Sequence, residues 1–99
     1  MLQVDISVEA EEDIDEITAY TTSTWGWRQT DQYLAKLEDC FDLLAKNPSA
    51  GRCCDSIRSG LHRFEIGKHV VFYIPYPKKL LIVRVLHQQM IPASSRFEE

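Results

Sequence analysis

Several features by which function is most easily recognised are scarce or missing in this sequence. No apolar run approaches the ~20 residues that a membrane-spanning helix needs, and the four glycines are scattered rather than gathered into a phosphate-binding loop. There is no H-E-x-x-H motif, and the adjacent Cys53 and Cys54 cannot supply the C-x2-C geometry of a structural zinc site. We therefore expect no metal ion, no cofactor and no membrane as a partner.

The chain also begins without the basic start and apolar stretch of a secretory signal peptide, so a cytoplasmic protein is expected. Its cysteines fit a reducing compartment. Cys40 falls on the apolar stripe of a predicted helix and is expected to be a small core residue. Cys53 and Cys54 are expected to be free, partly exposed thiols in a loop. With 99 residues the chain is predicted to form a single domain, 1–99, with one core.

Charge is divided unevenly along the chain. Residues 1–45 hold eleven acidic and two basic residues, a balance of −9, whereas residues 46–99 hold nine basic and four acidic residues, a balance of +5. One half of the molecule should therefore be electronegative and the other electropositive. The acidic run at residues 9–16 is expected to be a solvated helix surface.

Apolar periodicity predicts two helices, over about residues 8–24 and 28–46. Ser7 is a good N-cap for the first helix, and Asn47-Pro48 ends the second. Gly26 separates the helices so closely that they must form an antiparallel hairpin. Its neighbours Trp25 and Trp27 are expected to cap that hairpin hydrophobically.

Strands are predicted around residues 2–6, 61–66, 69–76 and 80–87, with Gly67-Lys68 as a two-residue turn. The element order is then β-α-α-β-β-β. The predicted fold class is α+β, with the helix hairpin packed on one face of a small antiparallel sheet. The polar end of the chain, from about residue 92, is expected to be a flexible tail.

Counting alternate residues sorts the strand side chains into two faces. The face expected under the helices comprises His62, Phe64, Ile66, Val70, Phe72, Ile74, Leu81, Val83 and Val85. The face expected to be open comprises Leu61, Arg63, Glu65, His69, Val71, Tyr73, Ile82, Arg84 and Leu86. On this count Arg84 lies on the open face, so an Arg84→Ala change should weaken antitoxin binding more than folding. The alternative is that Arg84 merely pairs with Glu65 across the sheet.

A basic and aromatic set of residues remains as the candidate site: Arg58, Arg63, Lys68, Tyr73, Arg84 and His87. Guanidinium groups stabilise phosphate charge and a His or Tyr can move a proton, so the set suits contact with a phosphodiester or its cleavage. It suits an acidic, apolar-anchored peptide of a partner protein equally well. The pattern alone leaves both possibilities open.

The sequence resembles the RelE/ParE superfamily of toxins from toxin–antitoxin pairs, over about residues 3–91. The resemblance rests on D-I-x-E-I in the first helix, the W-G break, N-P-x-x-G-R after the second helix, G-x-H-V-V-F-Y, and R-V-L-H-x-x-M in the last strand. Together these motifs are most similar to the ParE branch.

The ParE resemblance implies a type II toxin that poisons DNA gyrase by binding, without catalysis, and takes part in plasmid stabilisation. It also implies neutralisation by a ParD-like antitoxin in a hetero-oligomer, and no sequence-specific DNA binding by the toxin. The residues expected to bind antitoxin or target are Arg58, Arg63, Lys68, Tyr73, Arg84, Leu86, His87 and Met90.

The RelE branch offers the alternative of a ribosome-dependent mRNA endonuclease, in which Arg63, Arg84, His87 and Tyr73 would be catalytic. Against it, the last strand ends without the terminal tyrosine of that branch. The acidic helices would also be repelled by RNA over roughly a Debye length, ~8 Å at physiological salt. A third alternative is a copy that has lost toxicity and persists as an antitoxin-binding module.

Overall fold

The computed structural model describes residues 1–90, in which five strands, two α-helices and a 3-10 helix follow one another. They are β1 (Gln3–Ile6), α1 (Val8–Trp25), α2 (Trp27–Lys46), β2 (Arg52–Cys53), β3 (His62–Ile66), β4 (His69–Pro75), β5 (Lys79–His87) and the 3-10 helix (Gln88–Met90). The tail predicted from about residue 92 lies outside the described residues. Neither α1 nor α2 has the length and apolarity to cross a membrane.

The helix hairpin forms as predicted. Ser7 caps α1 by accepting a hydrogen bond from the Ala10 N–H at 3.0 Å, and its hydroxyl donates to the Val83 carbonyl of β5 at 2.8 Å. Gly26 joins the helices at φ 93°, a conformation that favours glycine because it has no Cβ. The helix start and the turn are therefore both fixed by residues that the sequence pattern identified.

The two tryptophans do not cap the hairpin, so that prediction was wrong. Trp25 and Trp27 keep 69% and 64% of their surface exposed. The helices are joined near the turn by a hydroxyl pair instead, since Thr22 Oγ1 and Thr30 Oγ1 lie 2.7 Å apart. Thr30 also donates to the Gly26 carbonyl. Polar contacts thus close the hairpin and leave both indoles facing outward.

The sheet has the strand order β1-β5-β4-β3-β2. The predicted fold class is confirmed: the helices pack on one face of a mostly antiparallel sheet. Two details differ from the prediction. β1 runs parallel to β5, a pairing that needs a long connection, which the helix hairpin and the strands after it provide. The short β2, which was not predicted, adds to the edge at β3.

The face count was wrong for β4. Ile66 pairs with His69 across the turn, so Phe64 shares its face with Val71 and not with Val70. A two-residue turn joins residues that differ by three in number, which exchanges odd and even positions between the two strands. β4 is apolar on both faces, so its own composition could not reveal the exchange.

The face count was also wrong for the first half of β5, because the strand contains a bulge. Phe72 pairs with Arg84 but Tyr73 pairs with Ile82, which leaves Val83 as an extra residue. A bulge places two residues opposite one and so interrupts the alternation of faces. Consequently Ile82 and Val85 both lie on the helix side.

Each face of the sheet contributes to its own core. The helix-side core contains Ala10, Leu37, Cys40, Phe41, Leu44, Val71, Tyr73, Leu80, Ile82 and Val85. The second core contains Cys54, Leu61, Val70, Phe72, Ile74, Val83 and Leu86, with Ile57 packed against it. The face predicted to be open is therefore not open, since side chains of the segment 54–61 pack on it.

Tyr73 fastens the loop after α2 to the helix side of the sheet. Its hydroxyl donates to the Pro48 carbonyl at 2.8 Å and accepts from the Gly51 N–H at 2.9 Å. A Cβ at Gly51 would lie 2.6 Å from that hydroxyl and 2.5 Å from the Arg63 carbonyl, so only glycine fits this approach. Tyr73 is fully buried, and burial raises the pKa of its hydroxyl.

We predict that Tyr73→Phe lowers the free energy of unfolding by about 1–3 kcal/mol, because two backbone groups lose their partner. Equilibrium unfolding in urea measures the change. Tyr76→Phe is the matched control, since Tyr76 is 40% exposed, and it should change stability by less than about 0.5 kcal/mol. Equal effects of the two changes would contradict the role given to Tyr73.

Candidate functional site

The eight residues predicted to bind antitoxin or target do not form one surface. Lys68 and His87 lie at one end of the sheet, around the β3–β4 turn and the end of β5. Arg58 is exposed in the loop before β3 and Arg63 lies on β3. Tyr73 and Leu86 are buried on opposite faces of the sheet. Arg84 is bound by Asp13 of α1. The side chain of Met90 is not among the side chains that the structure describes.

Arg84 is bound within the chain by Asp13 of α1. Its Nε donates to Asp13 Oδ2 and its Nη2 to Asp13 Oδ1, both at 2.8 Å. The backbone N–H of Val85 also donates to Asp13 Oδ2, at 3.0 Å. This hydrogen bonding with Asp13 raises the pKa of the Arg84 guanidinium. We call these three hydrogen bonds the Asp13–Arg84 clasp.

The clasp overturns three expectations about charge. Arg84 does not lie unpaired on an open face, and its side chain is only 23% exposed. It does not pair with Glu65, which is bound by Arg52 and Arg63. Asp13 is 8% exposed and so is not part of a solvated surface. A signal for this was present in the sequence, since Asp13 lies three residues after Ala10, on the buried stripe of α1.

Arg52, Arg63 and Glu65 form a second charged group at the β2–β3 edge. Arg63 Nη2 lies 3.2 Å from Glu65 Oε2, and its guanidinium lies 5.6 Å from the centre of the Phe72 ring. Arg52 binds the same carboxylate. Two arginines therefore share one carboxylate, and this cluster of three side chains keeps a net positive charge at the β2–β3 edge.

A histidine and tyrosine cluster lies at the opposite end of the sheet. Tyr33 Oη is 2.6 Å from His69 Nδ1, and the rings of His69 and His87 stand edge to face with centroids 5.4 Å apart. Burial, and secondarily the charge of His87, lower the pKa of His69. Sequence reasoning missed this cluster because it placed His69 on the other face of β4.

The residues of the nuclease alternative are not gathered for catalysis. A general acid or base must reach the substrate within hydrogen-bond distance. The Tyr73 hydroxyl is occupied by backbone groups beneath the helices, and the guanidinium of Arg84 is occupied by Asp13. Arg63, Arg84 and His87 keep partly exposed side chains, whereas Tyr73 is fully buried.

The three cysteines are free and lie in different surroundings. Cys40 is buried in the helix-side core as predicted, and burial raises the pKa of its thiol to about 11. Cys53 is exposed whereas Cys54 is 9% exposed, and burial also raises the pKa of Cys54. Among residues 1–90 no group of three or more His, Cys, Asp or Glu side chains could hold a metal ion.

Comparison with solved structures identifies the architecture. A chain of the chromosomal ParDE toxin–antitoxin system from P. aeruginosa superimposes with a TM-score of 0.73, over 88% of this chain and 96% of that one. The two sequences are 16% identical, so this likeness concerns the fold alone. It establishes the same arrangement of helix hairpin and sheet.

Comparison of sequences identifies the family. Residues 4–92 match the family described as the ParE toxin of the type II toxin-antitoxin system parDE. The chain is 40% identical to Toxin ParE1 of Mycobacterium tuberculosis (strain ATCC 25618 / H37Rv) over 86 residues, which cover 86% of this chain and 88% of that protein. It is 35% identical over 85 residues to Toxin ParE1 of Caulobacter vibrioides, with coverages of 86% and 88%. This chain belongs to the ParE family of type II toxins, as its motifs had indicated.

We predict that a thiol reagent modifies the native protein rapidly at Cys53 alone. The thiolate is the reactive form, so the raised pKa values and the burial of Cys40 and Cys54 slow their reaction. Mass spectrometry should show one label within the time in which urea-unfolded protein takes up three. Rapid labelling of Cys40 in the native protein would contradict the packing described for α2.

Proposed function

We propose that this ParE-family toxin poisons DNA gyrase by binding it, and that a cognate ParD-like antitoxin neutralises the toxin in a hetero-oligomer. The observation that supports a binding mechanism is that the side chains of Arg84 and Tyr73 are occupied by hydrogen bonds within the chain. Family membership supports the toxin role, and the structure supports a mechanism without acid–base catalysis, because these two side chains are not free to act on a substrate.

The charge of the helices also favours a protein target over a nucleic acid. α1 and α2 together carry ten acidic residues and three basic ones. A nucleic acid presents a dense row of phosphates, and acidic helices repel such a row across roughly a Debye length. A protein target avoids this cost where it offers basic or apolar surface, so gyrase is favoured over the ribosome's RNA as the primary contact.

Exposed aromatic residues support a protein partner further. Tyr20, Trp25 and Trp27 are 67%, 69% and 64% exposed, and the guanidinium of Arg28 lies 5.5 Å from the Trp27 ring centre. Tyrosine, tryptophan and arginine are the residues that most often dominate binding energy at protein interfaces. We place the action of this toxin in the cytoplasm, where gyrase and the antitoxin would meet it, with stabilisation of the encoding plasmid as a consequence.

The proposal is tested by incubating the purified toxin with gyrase, ATP and supercoiled plasmid, followed by denaturation with detergent and digestion with protease. A poison converts part of the plasmid into linear DNA, and we expect linear DNA to increase with toxin concentration. Toxin mixed beforehand with its antitoxin should produce none. A ribosome-primed mRNA cleavage assay runs alongside with the same toxin preparation.

Two results would contradict the proposal. Cleavage of mRNA in the ribosomal reaction without linear plasmid would establish the nuclease alternative. Absence of both activities, with the antitoxin still bound, would instead show a copy that persists as an antitoxin-binding module.

A further inference from the structure

A half-open polar cavity lies at the end of the sheet next to the histidine cluster, with which it shares His87. Its volume is about 390 Å³, and it is lined by Tyr20 of α1, Lys68 of the β3–β4 turn, and His87, Gln88 and Gln89 at the end of β5. Every lining side chain carries an N–H or O–H donor, and the lining contains no carboxylate. This composition contrasts with the acidic surface of α1, from which one wall of the cavity is built.

Two walls of the cavity, the β3–β4 turn and the end of β5, are joined to each other by hydrogen bonds. The Gln88 N–H donates to the Lys68 carbonyl at 2.9 Å, which joins the 3-10 helix to the β3–β4 turn. The Gln88 side-chain amide reaches the Gly67 carbonyl of the same turn, at 3.4 Å. Lys68 and the end of β5 are therefore held together by the chain itself, which lowers the entropy lost on binding.

The hydrogen bonding of His87 fixes which of its ring atoms donates. The backbone N–H of Gln89 donates to His87 Nδ1 at 3.2 Å, so the neutral ring carries its proton on Nε2. His87 therefore offers an N–H donor in addition to the ammonium group of Lys68. A cation and an N–H donor, with two amides and a hydroxyl around them, are suited to bind an oxyanion.

We propose that this cavity binds a single carboxylate of the antitoxin, from an Asp or Glu side chain or its C-terminus, through Lys68 and His87. The inference rests on the proposed function, since it assigns a contact to the antitoxin. A carboxylate is favoured over a nucleic acid phosphate because Glu16 precedes Tyr20 by one helical turn and so lies on the same face of α1. A row of phosphates would meet that acidic face, whereas one carboxylate would not.

The test compares the affinity of the cognate antitoxin for the wild-type toxin and three variants by calorimetry. Lys68→Ala removes the cation and His87→Phe removes the donor, and each should raise the Kd about tenfold or more. Lys78→Ala is the matched control, because it removes an exposed lysine from the β4–β5 turn instead. It should raise the Kd by less than about threefold.

A charge reversal locates the partner carboxylate. Lys68→Glu should abolish tight binding, and replacing the paired Asp or Glu of the antitoxin by Lys should restore it in that variant only. Thermal unfolding of each variant, with Lys68 exposed in the native chain, should remain close to wild type and so exclude a folding defect.

Three outcomes would overturn the inference. Equal weakening by Lys68→Ala and Lys78→Ala would show general charge attraction, and unchanged affinity in both would show that the cavity is not used. A phosphate site would be shown by two results together. A single-stranded RNA oligonucleotide would bind wild-type toxin and lose affinity with Lys68→Ala, and no carboxylate change in the antitoxin would alter its own affinity for the toxin. Failure of wild-type toxin to bind the antitoxin at all would instead contradict the proposed function.

Discussion

The fold depends on how α1 is attached to β5, and the Asp13–Arg84 clasp makes that attachment. β1 covers the edge of β5 only as far as Ile82, and beyond that point β5 would present unpaired backbone groups to α1. Ser7 binds the Val83 carbonyl and Asp13 binds the Val85 N–H, so helix side chains replace the missing strand. A buried carboxylate is costly unless it is paired, and Arg84 supplies the pairing charge.

This constraint determines which charges remain available for function. Arg84 has its guanidinium bound to Asp13 and is removed from the binding surface, and the Tyr73 hydroxyl is committed to the loop after α2. Two of the basic groups that remain lie apart from each other, with Arg52 and Arg63 at the β2–β3 edge and Lys68 with His87 at the far end of β5. Separate basic patches of this kind suit an extended partner that wraps the toxin better than they suit a single catalytic centre.

The sequence predicted the elements well and the sheet faces poorly, for identifiable physical reasons. The helix boundaries could be predicted because Ser7, Gly26 and Asn47-Pro48 start or end a helix through interactions with residues close in sequence. The faces of β4 and β5 depended on the register across the Gly67-Lys68 turn and on the bulge at Val83, which are properties of paired strands. The register error moved His69 away from Tyr33. Arg84 was placed on the correct face, opposite Phe72, but the pattern could not show that Asp13 of α1 binds it around the edge of β5.

Bound by Asp13, Arg84 stabilises the fold and is not a free residue of the partner surface. A double-mutant cycle with Asp13→Ala, Arg84→Ala and the double variant, measured by urea unfolding, tests it most directly. We predict a coupling free energy of about 1–3 kcal/mol. The exposed Asp5–Lys79 pair, with its charged atoms 3.7 Å apart, serves as the reference cycle and should give about 0–0.5 kcal/mol. A coupling no larger than that of the reference pair, with Arg84→Ala leaving stability unchanged, would contradict the account.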